Sequence, residues 1–429
     1  MSIFKVVLSS VFVFFTVVAV LVFAGGGGGG GSQAGIGGEI IFWGSIPESQ
    51  MLNIIDEINQ NNNLYKISYV EKRKENFDIE LVEALASGKG PDIFTLPNDL
   101  VVRHSDKVAI VAYTALTERE FKNTFIQEGE MYFTSEGILA LPFSVDPLIM
   151  YWNRDLVSSA GLATPPATWS EFYELVPLIT TLDKASNIIQ NTVALGEFNN
   201  ISHAKDILAI LIMQAGNPII TSGMNGWQVV LSDAFGFSVS PAESALRFYT
   251  EFSNPAKPIY SWNKAEALSL NAFTSGKLAF YFGYASEFDI IKNKNPHLNF
   301  DIALLPQAKD SQSKITFGKM EGLAISKTSP NIATAFEAIK LLTSQKVSLK
   351  ISDAIGLPST RRDILSSKNP DPYKSIFNSA ALMSRAWLDP SPRETDRIFQ
   401  DMIEGVSSGR YRISETILRA NSEIDRFFK

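Results

Sequence analysis

Between residues 39 and 96 the apolar residues change their period four times, and this alternation constrains the fold more than any other feature of the chain. Residues 39–43 form a short apolar run suited to a buried strand. Pro47, Glu48 and Ser49 then open a segment in which Met51, Leu52, Ile54, Ile55 and Ile58 recur at helical spacing. Residues 65–70 alternate as a second strand. Leu81, Val82 and Leu85 share one face of a second helix that Gly88 can cap, and residues 92–96 read as a third strand. Strand, helix, strand, helix, strand over so short a span predicts a parallel sheet with right-handed crossovers. Ligands of such sheets sit beyond the carboxyl ends of the strands, here the segments after Trp43 and after Phe94.

Downstream, apolar runs at 138–141 and 148–152 flank Pro142-Phe143-Ser144-Val145-Asp146-Pro147, whose two prolines suit an extended crossover and not a helix. Helical patterns then dominate. Thr168 with Glu171 reads as a capping box, and residues 207–213, 242–252 and 265–275 carry helical apolar stripes. Strands are predicted at 278–282, 300–305 and 322–326, a helix at 330–342, and helical spacing resumes from 372 to the carboxyl end. A strand-rich region, a helical region and strands again imply a chain that passes more than once between two interwoven α/β lobes with a cleft between them.

The amino end has a different composition. Residues 6–24 are uncharged and apolar apart from Ser9, Ser10 and Thr16, and as a helix would span roughly 28 Å, enough to cross a bilayer. Lys5 ahead of the run favours export of the chain beyond it. Two outcomes fit, an uncleaved transmembrane anchor or a signal peptide cut after Ala24. Ten of the 28 glycines fall in residues 25–38, which read as a flexible tether. The chain has no cysteine, which removes disulfides, thiolate metal sites, cysteine nucleophiles and thioether lipidation together.

Other chemistries find little support. A net charge of −7 offers no nucleic-acid surface. His104, His203 and His297 lack metal-ligand spacing, and the glycine run is not followed by the Gly-Lys-Ser/Thr of a phosphate loop. Paired carboxylates leave a glycoside hydrolase as a conceivable reading, but no motif supplies an activated nucleophile.

Six stretches together carry a resemblance. GKGPDIFTLPNDL (88–100), ALPFSVDPLIMYWNRDLVSSAGLATPPATWSEF (140–172), AFTSGKLAFYFGYASEFDII (272–291), FDIALLPQ (300–307), GKMEGLAISKTSPNIATAFEAIKLLTS (318–344) and SSGRYRISETILRANSEID near the end occur in this order. The whole body resembles the extracellular solute-binding proteins of ABC importers, specifically the maltose-binding-like carbohydrate family. The resemblance implies an α/β, two-lobed Venus-flytrap fold that closes on a solute and hands it to a membrane permease. It implies a monomer without cofactor or catalytic activity. The corresponding organisation is an anchor or signal at 1–24, a linker at 25–38, lobe 1 from 39–145 and 303–343, and lobe 2 from 146–302 and 344–429. Crossovers are expected near 145–150, 302–305 and 341–343. The solute is expected to be a sugar or oligosaccharide; peptides, polyamines and sugar phosphates remain alternatives, as does a membrane-anchored sensor.

A sugar site needs an aromatic plate together with carboxylates and amides. Trp43 ends the first strand where the cleft is expected, as plate or as core residue. Ser45 and Glu48 match the family's first ligand-contacting segment, although Glu48 also suits the first turn of a helix. Asn98 and Asp99 follow the third strand, where the resemblance places polar sugar contacts. Asp146 aligns with an acidic ligand contact, whereas Asp92 reads as part of a turn. Gly283 and Tyr284 match a glycine-aromatic corner, Glu321 lies in a glycine-flanked segment facing lobe 1, and Trp387 falls where relatives carry a stacking tryptophan. Trp227 and Trp262 are reserves, better suited to packing.

Overall fold

A computed structural model describes residues 37–223, 226–309 and 313–429. The first lobe opens as β1 (Gly38–Gly44), α1 (Glu48–Asn61), β2 (Tyr65–Glu71), α2 (Lys74–Ala86) and β3 (Ile93–Pro97), with β1 pairing in parallel to both β2 and β3. The period-2 pattern is used as predicted: Ile40 and Phe42 of β1 and Tyr65, Ile67 and Tyr69 of β2 point into the core. Central β3 is buried on both faces from Ile93 to Leu96. In α1 the buried face is Met51, Ile54, Ile55 and Ile58, while Leu52 lies outside it.

Two hydrophobic cores identify two lobes. The lobe 1 core holds residues from Ile40 to Val145, then Met320 to Ile325 and Ala335 to Ile351, with single contributions from Leu365, Ala381 and Leu388. The lobe 2 core runs from Leu148 to Leu305, adds Phe317, and ends with Phe377, Ala380, Trp387 and residues from Ile398 to Ile424.

One continuous sheet joins the lobes through two long strands. β4 (Ala140–Asn153) pairs over its first half with β8 (Thr316–Ile325) and over its second half with β6 (Leu278–Tyr284) and β7 (Phe300–Ala303). Lobe 2 also contributes β5 (Ile188–Val193), parallel to β6. The sequence reading of two runs with a crossover between them becomes a single fourteen-residue strand. Its two prolines, which cannot donate to a ladder, sit at the two places where regular pairing is interrupted. Pro142 lies opposite the register shift between Glu321 and Gly322, and Pro147 lies at the last β8 pair before β4 exchanges partners.

The second passage falls inside β8, between Phe317 and Met320, later than the 302–303 boundary expected from sequence; Leu305 is still in the lobe 2 core. The polar, glycine-containing Gly318-Lys319-Met320-Glu321 weakened the strand signal, which pairing with β4 restores. The last passage is likewise later than 343–344. Val347, Ile351 and Leu365 stay with lobe 1, and α4 (Pro372–Met383) places Phe377 and Ala380 in lobe 2 but Ala381 in lobe 1. The Thr168–Glu171 capping box is formed. Residues 6–24, read as an anchor or signal, lie outside the described residues, among which no helix is long and apolar enough to cross a membrane.

Candidate functional site

The crossing pair β4–β8 forms one wall of a cleft of about 460 Å³. In register, Ser144 faces Glu321 and Asp146 faces Lys319. Residues two apart share a face of a strand, so these four polar side chains project together while Val145 and Met320 between them are fully buried. The carboxyl ends of the parallel strands supply further lining. Ser45 follows β1, and Asn98 and Asp99 follow β3 in a short 3-10 turn, as expected of a doubly wound sheet. Lys74, Phe77 and Thr95 of lobe 1, Ser286 beyond β6, Leu357 and Pro392 contribute to the remaining walls.

The polar groups are held by specific bonds. Ser45 Oγ donates to the Glu321 carboxylate at 3.0 Å, and Lys74 Nζ lies 3.6 Å from it. Asn98 is buried and its Oδ1 accepts the Met320 N–H at 3.2 Å, tying the β3 turn to the crossover. Asp146 accepts the Ser286 N–H at 3.0 Å, and burial holds its carboxyl above the ordinary range against that bond. Among the described residues the Asp99 carboxylate forms no hydrogen bond; burial, with Asp389 and Asp206 nearby, pushes it up to about 6.

Behind Lys319 lies a supporting layer. Lys319 Nζ stands 3.4 Å from Asp206 and 4.0 Å from the centre of the Tyr284 ring. Tyr284 is buried; its hydroxyl donates to Asp206 at 2.6 Å, and the edge of His203 meets its ring. Lys205, next to Asp206 on α3 (Ala204–Gln214), donates to Asp389 at 2.6 Å and to Thr395 Oγ1 at 2.8 Å.

Of the ten residues expected at the site, Ser45, Asn98, Asp99, Asp146 and Glu321 line this cleft, and the other five do not. Trp43 is half-buried against the lobe 1 core with Lys72 Nζ 3.9 Å above its ring. Glu48 is exposed in the first turn of α1, where its N–H donates to Glu71. Gly283 and Tyr284 are buried in β6 behind the cleft wall; a Cβ on Gly283 would come within 2.7 Å of the Glu287 carboxylate. Trp387 is 3% exposed and stacks on Phe399 in the lobe 2 core, so its ring has no free face to offer a sugar. Of the reserves, Trp262 is fully buried and Trp227 touches both cores. Ser144 and Lys319, missed from sequence, were within reach of the strand alternation: each lies two residues from a residue that was singled out. Lys74, Ser286 and Pro392 carried no local signal.

Two lobes on a shared sheet, with a polar cleft where the strands cross, define a solute-binding protein of the two-lobed type. The chain belongs to the bacterial extracellular solute-binding protein family, whose model matches residues 80–348, more than half its length. Its body therefore works outside the cytoplasm. It is 26% identical over 151 residues to the sn-glycerol-3-phosphate-binding periplasmic protein of Yersinia enterocolitica, a match spanning 32% of this chain and about a third of that relative (34%).

Its fold is similar to a cyclic α-maltosyl-1,6-maltose binding protein from Arthrobacter globiformis (TM-score 0.74, 14% identity, 91% of this chain and 98% of that one). It is also similar to a cyclo/maltodextrin-binding protein complexed with maltotetraose (TM-score 0.73, 14% identity, 90% and 96%). A third similar structure is an ABC transporter solute-binding protein from Thermotoga lettingae bound with α-D-tagatose (TM-score 0.64, 20% identity, 91% and 100%).

Proposed function

We propose that this protein is the substrate-binding component of an ABC importer, closing its lobes on a sugar or oligosaccharide and delivering it to a permease. The observation that carries this reading is the β4–β8 wall, where Ser144, Asp146, Lys319 and Glu321 present hydroxyl, carboxylate and ammonium groups to a cavity between two lobes. Such groups exchange hydrogen bonds with sugar hydroxyls. A solute touching both lobes binds the closed form more tightly than the open one, which supplies the signal a permease reads. The carbohydrate ligands named for the similar structures support the solute class. Residues 6–24 act as membrane anchor or export signal and residues 25–36 as tether, the expected stretch being cut short because Gly37 already bonds to Thr334 and Gly38 opens β1; the body is a monomer.

A thermal-shift screen over mono- and oligosaccharides tests the proposal, because a ligand at 100 times its Kd adds roughly 2.7 kcal/mol of stability. A shift by at least one sugar, abolished when Glu321 and Asp146 are both replaced by alanine, is the expected result. Shifts confined to peptides or polyamines would refute the carbohydrate reading.

A further inference from the structure

The charges around the cleft go beyond solute class. The lining residues with formal charge are Lys74, Asp99, Asp146, Lys319 and Glu321. Each nearby lysine is already matched to a carboxylate: Lys74 to Glu321 at 3.6 Å, Lys319 to Asp206 at 3.4 Å, and Lys205 to Asp389 at 2.6 Å. Lys205 is further occupied by Thr395 Oγ1 and the Pro392 carbonyl. With these pairs made, Asp99 and Asp146 are left over, and both line the cavity. Asp146 has the Ser286 N–H and, across the strand pair, Lys319. Asp99 has no hydrogen bond or ion pair among the described residues, and the charges near enough to act on it are Asp389, Asp206, Lys205 and Lys319, two of each sign with both lysines already paired. Among the described residues no arginine lines the cleft, and neither lysine that does is free of a carboxylate.

Such a cavity is hostile to phosphate, whose oxygens would face Asp99, which has no hydrogen bond among the described residues, and Asp146, which has a single N–H, without a fork of donors to hold them. It is also poor in stacking surface: Phe77, itself buried, is the one aromatic side chain among the described residues that line it. Neutral sugars would have to rely on hydroxyl contacts and on the aliphatic surfaces of Pro97, Leu100, Leu357 and Pro392. A cation, in contrast, would supply Asp99 with the partner that the protein withholds.

Resting on the reading of this cleft as the sugar site, we infer that the preferred solute is an amino-substituted saccharide whose protonated amine is taken by the Asp99 carboxylate, and that phosphorylated solutes are rejected.

The test is isothermal titration calorimetry at pH 7 with matched sets of probes on one ring: the neutral hexose, its 2-amino-2-deoxy form and its 6-phosphate, in gluco, galacto and manno configurations, with the corresponding β-1,4-linked gluco disaccharides. At least one amine is expected to bind tenfold or more tightly than its neutral partner, and no 6-phosphate is expected to bind more tightly than its neutral partner. In Asp99→Asn, checked for folding by its own melting curve, the amine-to-neutral ratio is expected to fall to within about twofold of unity. Lys319→Gln, which frees Asp206, is expected to raise the ratio. The inference is overturned if no amine binds at millimolar concentration, if neutral sugars bind as tightly as their amines, if a 6-phosphate outbinds its neutral partner, or if the preference survives in Asp99→Asn. Neutral-sugar binding that is lost on replacing Glu321 and Asp146 would in those cases leave the sugar site standing. Sugar binding indifferent to all these replacements would remove the site itself.

Discussion

Glu128 provides a quantitative test of the packing at the junction between the lobes. It lies in the 3-10 turn Gln127–Tyr132, is 3% exposed, and neither carboxylate oxygen has a hydrogen-bond partner among the described residues. Its surroundings are the crossover strand and the segment beside it. A Cβ added to Gly318 would fall 2.2 Å from Glu128 Oε2 and 2.8 Å from Ser384 Cβ. Arg385 is near enough to favour the ionised form, but its guanidinium is engaged with the Ser384 carbonyl and Gln127. Burial outweighs that attraction and pushes the Glu128 carboxyl up from 4.5 to about 8.

The folded protein therefore binds a proton here that the unfolded chain releases above pH 4.5, and stability falls as pH rises through the interval between the two values. At 1.36 kcal/mol per pH unit, the loss between pH 5 and pH 8 is about 3 to 4 kcal/mol. Glu128→Gln keeps the shape of the protonated acid without the titration, so this slope should vanish from the variant. Urea denaturation followed by tryptophan fluorescence at pH 5, 6, 7 and 8 measures it. The two proteins should be close at pH 5 and diverge in favour of the variant by about 3 kcal/mol at pH 8. A stability difference independent of pH, or one that grows in favour of the wild type, would refute the assignment of a buried, unpaired carboxylate.

Trp387→Ala should cost about 3 to 5 kcal/mol in the same unfolding assay, because the ring fills the lobe 2 core against Phe399; a small stability change with lost affinity would return Trp387 to the cleft. Glu321→Gln should weaken sugar binding about tenfold by calorimetry, since it removes a charged acceptor between Ser45 and Lys74; unchanged affinity would exclude Glu321 from the site. Gly318→Ala should lower the melting temperature of the wild type more than that of Glu128→Ala, because removing the carboxylate relieves part of the clash with the new Cβ; equal losses in the two backgrounds would contradict that contact. A bound amine favours ionised Asp99, whose carboxyl is held up at about 6, so amine affinity measured by calorimetry should rise from pH 5 to pH 7 and fall again as the sugar amine itself loses its proton; a flat profile would count against contact with Asp99.

Local periodicity determined a large part of this protein. The β1–α1–β2–α2–β3 order, its parallel sense, the buried face of α1 and the Thr168–Glu171 cap all follow from residues within a few positions of one another. Ser45, Asn98 and Asp99 were legible from two signals together: strand order marks the segments beyond the ends of parallel strands as ligand-binding, and the family resemblance places polar contacts at these positions within them. Asp146 came from the family resemblance and Glu321 from its glycine-flanked segment.

What required the tertiary structure was the pairing of β4 with β8, strands separated by more than 160 residues. That register turns Ser144 and Lys319 into the same wall as Asp146 and Glu321, carries the second passage between the lobes past residue 317, and tolerates two prolines at its interruptions. Burial decided the aromatic residues in the same way. Trp387 and Tyr284 have the composition of a sugar plate, but whether a ring faces solvent or a core depends on which surfaces pack against it, and here Phe399 and the back of the cleft wall claim them. Charge compensation is also non-local: only the folded chain shows that Lys74, Lys205 and Lys319 are taken and that Asp99 is not.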